Sequence, residues 1–196
     1  NASTTTAADG HFRLEGLTAT GPHLVFVEYK NITYPPEMVQ IEKPDTTGQV
    51  RLEVFDPSDD GSKLKVSTLK TIVARGEAGT YRVEQLISLE NAERSVLRRA
   101  KDGAPLARFG LLPNRTGELA TSLGFTPAEV SIASDGAAEF RGPIFPGTQW
   151  LTVNYEIDAG GRDLLTEIPF PEPVASFELY VGDEGMGVYA QPPDPA

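Results

Sequence analysis

The sequence predicts an all-β protein, arranged as two consecutive antiparallel β-sandwiches. Three observations carry this. Apolar and polar residues alternate at period two in run after run. Val, Ile, Thr, Tyr and Phe fill those runs, as they do on half-buried pleated surfaces. Breakers such as Asp9-Gly10, Gly21-Pro22, Pro35-Pro36, Asp60-Gly61, Asp102-Gly103, Asp135-Gly136 and Gly160-Gly161 recur roughly every 8–12 residues, the rhythm of a sandwich.

Taken in order, Phe12 and Leu14 alternate with Arg13 and Glu15. A turn about Thr18–Thr20 would pair 11–15 with 23–29 as a hairpin. Val50, Leu52 and Val54 alternate with Arg51 and Glu53, and predict a further strand. The acidic, Pro- and Gly-bearing stretch Asp56-Pro-Ser-Asp-Asp-Gly-Ser62 reads as a boundary. It divides a small module, 1–56, from a second sandwich, 62–190. The second sandwich contains the alternating runs Leu64–Leu69, Tyr81–Leu89, Leu151–Ile157 and Phe177–Val181. Two stretches are the best helix candidates, Asn91–Ala100 and Thr126–Val130. The latter opens on Thr126-Pro-Ala-Glu129, which suits an N-terminal cap. The Pro-rich end, 191–196, reads as a tail or linker.

Composition bounds the function. The 196 residues contain 17 Lys+Arg against 28 Asp+Glu, a net charge of −11. That balance argues against nucleic acid as a partner, since a phosphate backbone wants a basic face. Cysteine is absent, which removes thiol nucleophiles and thiolate metal sites. No apolar run is long enough to span a membrane. The first residue is Asn rather than Met, which reads as a processed chain.

The search for chemistry yields few constellations. The two histidines, His11 and His23, fall at opposite ends of the expected hairpin, a poor start for a shared metal. A Ser-His-Asp triad lacks its nucleophile elbow. Gly185-Met-Gly187 lacks the third glycine and the helix of a phosphate loop. Nothing selects two of the 28 acids as a glycosidase pair. The expectation is therefore a non-enzyme with no cofactor.

Three features are retained as candidate sites. Asp56, Asp59 and Asp60 are an oxygen-rich loop that could take calcium, set against a plain solvated turn. Arg94, Arg98, Arg99 and Lys101 form the basic island of an acidic chain and could dock an acidic partner or anionic glycan. Glu90, Glu93 and Asp102 beside them largely cancel that charge. Trp150, the single tryptophan, alternates with Leu151, Val153 and Tyr155, so it shares the wetter face with Thr152 and Asn154. It could be partly exposed or at a sheet corner, and its role could be packing in the core or between domains, or that of a ligand platform. Asn31-Ile-Thr33 and Asn114-Arg-Thr116 fit the glycosylation acceptor pattern but read as turns.

The stretch Thr4-Thr-Thr-Ala-Ala-Asp9-Gly10-His-Phe12-Arg-Leu14-Glu-Gly16-Leu17 resembles the carboxypeptidase regulatory-like, transthyretin-like domain. Leu24–Tyr29, Asn31–Tyr34 and a return strand near Met38–Ile41 fit its later half. The resemblance covers about 50 residues and lacks the family's opening strands, so the first sandwich is N-terminally incomplete. It implies completion by the second domain or by a second copy of the chain, as a homodimer, and implies no zinc. The order of motifs from Leu64 to Phe170 is similar to an uncharacterised β-sandwich of bacterial envelope proteins. That similarity implies an extracytoplasmic location, in the periplasm or at the cell surface. The functional expectation is a non-catalytic structural or interaction module, its partners being other domains of the same protein, a glycan or an envelope protein. The alternatives are a carbohydrate- or peptide-binding module and, third, a hydrolase with an acid pair.

Overall fold

The computed structural model describes residues 2–17, 20–43, 47–77, 79–99, 103–124, 126–160, 164, 166, 168, 170 and 173–182. Over that span the protein is all-β, with strands and no helix. It divides into two compact units, Asn1–Val54 and Phe55–Ala196. Lys101, the Gly185-Met-Gly187 stretch and the tail 191–196 lie outside the described residues.

The first unit is organised by a nested hairpin. Its strands are β1 (Gly21–Val25), β2 (Glu28–Tyr29), β3 (Ile32–Thr33) and β4 (Glu37–Ile41). Lys30 and Asn31 take φ of 50° and 60°, the left-handed pair that a two-residue type I′ turn requires. That turn closes β2 on β3, and Tyr34 N–H then donates to Val27 O at 2.9 Å. The closure carries β1 onto β4, with His23 opposite Val39 and Leu24 opposite Met38. This corrects the expected pairing of 11–15 with 23–29. The partner of 23 is set by the tight turn at 30–31, which closes a short loop before any longer one.

Asp9-Gly10 does turn the chain. Gly10 has φ of 81° and donates to Ala7 O, while Asp9 Oδ1 accepts from His11 N–H. No strand follows it, however, and none forms over residues 47–56. Alternation there orients side chains but supplies no partner ladder.

The second unit contains eleven strands among the described residues. In order they are β5 (Pro57–Ser58), β6 (Leu64–Arg75), β7 (Thr80–Asn91), β8 (Val96–Leu97), β9 (Ala107–Phe109), β10 (Arg115–Leu123), β11 (Thr126–Pro127), β12 (Val130–Ile132), β13 (Ala138–Phe140), β14 (Gly147–Asp158) and β15 (Ser176–Val181). Six make one sheet in the order β11-β10-β14-β7-β6-β15, and three make another in the order β12-β13-β9. The helix candidate over Asn91–Ala100 is instead a bend followed by β8, which pairs in parallel with β5. That over Thr126–Val130 is replaced by β11 and the start of β12. In both places short backbone ladders take the hydrogen bonds that a helix would have kept internal.

The core lies between one face of the six-stranded sheet and a second layer formed by β9, β13 and the segments around Leu97, Leu111 and Ile144. Ile87, Leu89, Leu151, Val153, Ile157 and Phe140 are fully buried. Each such side chain stabilises the fold by roughly 1.5–3 kcal/mol. A polar network crosses this core. Gln85 Nε2 donates to Thr71 Oγ1 at 3.3 Å and to Gly110 O at 3.2 Å. Its Oε1 accepts from Tyr155 Oη, which itself accepts from Leu112 N–H. Every member has a partner, so the network costs little and ties residues 110–112 to the sheet. Burial pushes the Tyr155 phenol up to about 12.

Asn91 secures the corner beyond β7 by donating to Ser95 O and Ile144 O and accepting from Glu93 N–H. Gly142 passes close to Leu97. Its φ is 97°, and a Cβ there would stand 2.6 Å from Leu97 O, so this position has no room for a side chain.

Candidate functional site

The opposite face of the six-stranded sheet carries the alternate residues of the same strands. Cross-strand register arranges them in rows. One row runs Ser122, Thr152, Leu86, Lys70, Glu178. On one side of it lies Trp150, Ser88, Thr68, Ser176. On the other lie Ala120, Asn154, Glu84, Ile72, Tyr180 and then Thr116, Glu156, Arg82, Ala74.

Trp150 is 40% exposed and Tyr180 50% exposed on this face. They are joined by a polar chain. Lys70 Nζ stands 5.6 Å from the centroid of the Trp150 ring, within reach of its π-face. The same ammonium lies 3.2 Å from Glu178 Oε2, which accepts from Tyr180 Oη at 2.7 Å. The Tyr180 hydroxyl, then Lys70, hold Glu178 below the usual carboxylate range. The Glu178 carboxylate in turn raises Tyr180.

Beside this chain the face is concave. A depression of about 490 Å³ is lined by Ile72, Ala74, Arg82, Glu84, Asn154 and Glu156 of the sheet, with Thr116, Gly117 and Glu118 as a wall. The wall has a local cause. Pairing of β10 with β14 shifts between Thr116 and Ala120, and Gly117 takes φ of 73°. Such a bulge bends the strand and re-aims its side chains. Arg82 Nε lies 4.0 Å from Glu156 Oε1 across the floor.

The other sequence candidates are placed elsewhere. Asp56, Asp59 and Asp60 are not gathered into one cluster. Pro57–Ser58 is extended as β5, which separates Asp56 from Asp59 by roughly 10 Å of strand. Asp60 Oδ1 accepts from Ser62 N–H, and this bond holds the carboxyl below the usual range. Among the described residues no three carboxylate or imidazole groups converge as a metal site would need. Arg94 and Arg98 are exposed and Arg99 half-buried. Arg98 N–H donates to Ser58 O, and Arg99 N–H to Arg141 O, so these backbones serve the β5–β8 ladder and its neighbour. Asn31 and Asn114 both occupy left-handed φ, as their reading as turn residues requires. His11 lies 3.3 Å from Asp9 Oδ2 on an exposed turn.

Sequence reasoning placed Trp150, Thr152 and Asn154 on a common wet face, and they are there. It missed Lys70, Glu178, Tyr180, Arg82, Glu84 and Glu156. Alternation assigns each of these to a face within its own strand. Only the register of β14 on β7, β7 on β6 and β6 on β15 shows that the faces are one. No protein-family model matches the chain, and no curated protein matches its sequence. Among the described residues no helix is long and apolar enough to cross a membrane.

Proposed function

We propose that this protein is a non-catalytic, extracytoplasmic interaction module of a bacterial envelope protein, and that the outer face of its six-stranded sheet is the contact surface. The observation that carries the reading is the connected series Trp150, Lys70, Glu178 and Tyr180 on an open sheet face beside a concavity. Large aromatic rings flanked by anchored polar groups are the residues that concentrate contact energy at interfaces. In this reading the two units are consecutive sandwiches. The first is a partial carboxypeptidase regulatory-like module, supported by the strands over 21–41, while the strand expected after Asp9-Gly10 is absent.

A photo-crosslinking residue substituted at position 150 tests the reading in the envelope fraction of the producing cells. A discrete adduct with a protein or a glycan is expected. Recovery of the chain only from cytoplasm, or no adduct at any protein concentration, overturns it.

A second reading, hydrolysis by an acid pair, is favoured by Glu84, Glu118 and Glu156 lining the same depression. It expects turnover of a glycoside that Glu84→Gln and Glu156→Gln each abolish. Binding without turnover excludes it.

A further inference from the structure

We infer that the outer face of the six-stranded sheet binds a neutral oligosaccharide, with Trp150 as the stacking platform and the depression beside it as a second subsite. The inference rests on the reading of this face as a contact surface and names what it contacts.

Geometry comes first. A sheet face presents side chains only, because the backbone N–H and C=O groups of β14, β7 and β6 are spent on their neighbours. An extended peptide that binds by adding a strand has nothing to pair with here. From Trp150 to Glu156 the strand rises roughly 20 Å, and from β10 to β15 the sheet is roughly 19 Å wide. That is a patch of short-oligosaccharide size rather than the footprint of a globular partner, whose interface needs about 800 Å² a side.

Chemistry then narrows the ligand. The exposed indole offers an apolar face, and a sugar ring presents its C–H groups to such a face. Around it stand groups that donate and accept side by side. Lys70 and Arg82 donate, Glu84, Glu118, Glu156 and Glu178 accept, and Asn154 and Tyr180 do both. Paired donors and acceptors suit vicinal hydroxyls, which also do both.

Charge decides between sugars. Four carboxylates face two cations on this surface, and the cations are already engaged, Lys70 with Glu178 and Arg82 with Glu156. The chain as a whole carries −11. Uronate or sulfate-bearing polymers are repelled. A neutral ligand meets no such barrier, and it can share the anchored carboxylates without displacing them. The ordering of Glu178 between Lys70 and Tyr180 in the free protein lowers the entropy lost on binding.

Trp150 is the only tryptophan, so selectively excited tryptophan emission reads this face and no other. The experiment titrates the whole chain with neutral hexasaccharides: β-1,4-glucan, β-1,4-xylan, α-1,4-glucan and β-1,4-linked N-acetylglucosamine. A hexagalacturonate is the charged comparison. At least one neutral sugar should shift and saturate the emission. By calorimetry, Trp150→Ala should weaken it about tenfold or more. Asn154→Ala and Glu178→Ala should weaken it several-fold, with far-ultraviolet dichroism unchanged. Ile132→Ser, at an exposed apolar position on the other sheet, should leave affinity as it was. Absence of signal and heat with every neutral sugar at about 10 mM, equal affinity in Trp150→Ala, or tighter binding of the galacturonate overturns the inference. A protein adduct at position 150 together with no sugar binding overturns the sugar and leaves the contact surface standing. Loss of both overturns both.

Discussion

Along β14, Leu151, Val153, Tyr155 and Ile157 are buried, while the residues interleaved with them, Trp150, Thr152, Asn154 and Glu156, reach solvent. β7 repeats the division, with Val83, Gln85 and Ile87 inward and Arg82, Glu84 and Leu86 outward. The two faces share a backbone and a register but are held by different rules. Inward side chains have fixed neighbours in a second layer, so volume and hydrogen-bond satisfaction decide what is tolerated. Outward side chains are held by one another, through the Trp150–Lys70–Glu178–Tyr180 series, over a half-buried floor of Ile72 and Leu86. One face therefore carries stability and the other is free to carry recognition.

Substitutions on each face sharpen or break that division. The largest effect is expected at Leu151→Ala and Ile87→Ala. Each removes a fully buried side chain and should cost about 2–5 kcal/mol in urea unfolding. A loss below about 1 kcal/mol at both would mean that the inward face is not the core.

Next is a pH dependence. The Tyr155 phenol sits near 12 when folded and near its ordinary value of about 10 when unfolded. Between those values the unfolded chain has released a proton that the folded chain retains, so stability falls as pH rises. The protein should lose about 2–3 kcal/mol between pH 10 and 12. In Tyr155→Phe that part of the dependence should vanish. An unchanged alkaline limb in the variant would remove Tyr155 as its source.

Gln85→Leu should cost about 1–3 kcal/mol, because Gly110 O and Tyr155 Oη lose a buried partner. Gln85→Glu should cost more at pH 7 than at pH 4, since the new carboxylate would have to be buried charged. Equal stability at the two pH values would show that water reaches the site.

The smallest effects belong to the outward face. Tyr180→Phe and Asn154→Ala should change stability by no more than about 0.5 kcal/mol, a shift in Tm of about 1–2 °C. A loss comparable to that of Leu151→Ala would mean that this face too is structural.

The all-β class and the long strands of the second unit were legible because each strand carries its own alternation. The face of Trp150 could be read from the six residues 150–155. What could not be read is pairing. Nothing in residues 70, 84, 154 and 178 taken separately says that they share a surface, because their strands are brought together by ladders of long sequence separation. The first unit shows the same limit from the other side. Val50, Leu52 and Val54 alternate as well as any strand, yet without a partner ladder residues 47–56 form none. Within 91–100, a helix candidate by sequence, buried Val96 and Leu97 are drawn into the core and pair with β5 and Ile144.

β15 lies parallel to β6 at the rim of the large sheet, with Ser176 beside Thr68 and Val181 beside Val73. A ribosome makes β6 long before it makes its last neighbour. Through the synthesis of β7 to β14 the far edge of β6 has no partner from the finished sheet, and it gains one only when the chain has been extended past residue 176. Until then that edge is the place where a nascent chain of this protein is open to mispairing, and the emergence of β15 is the event that ends the exposure.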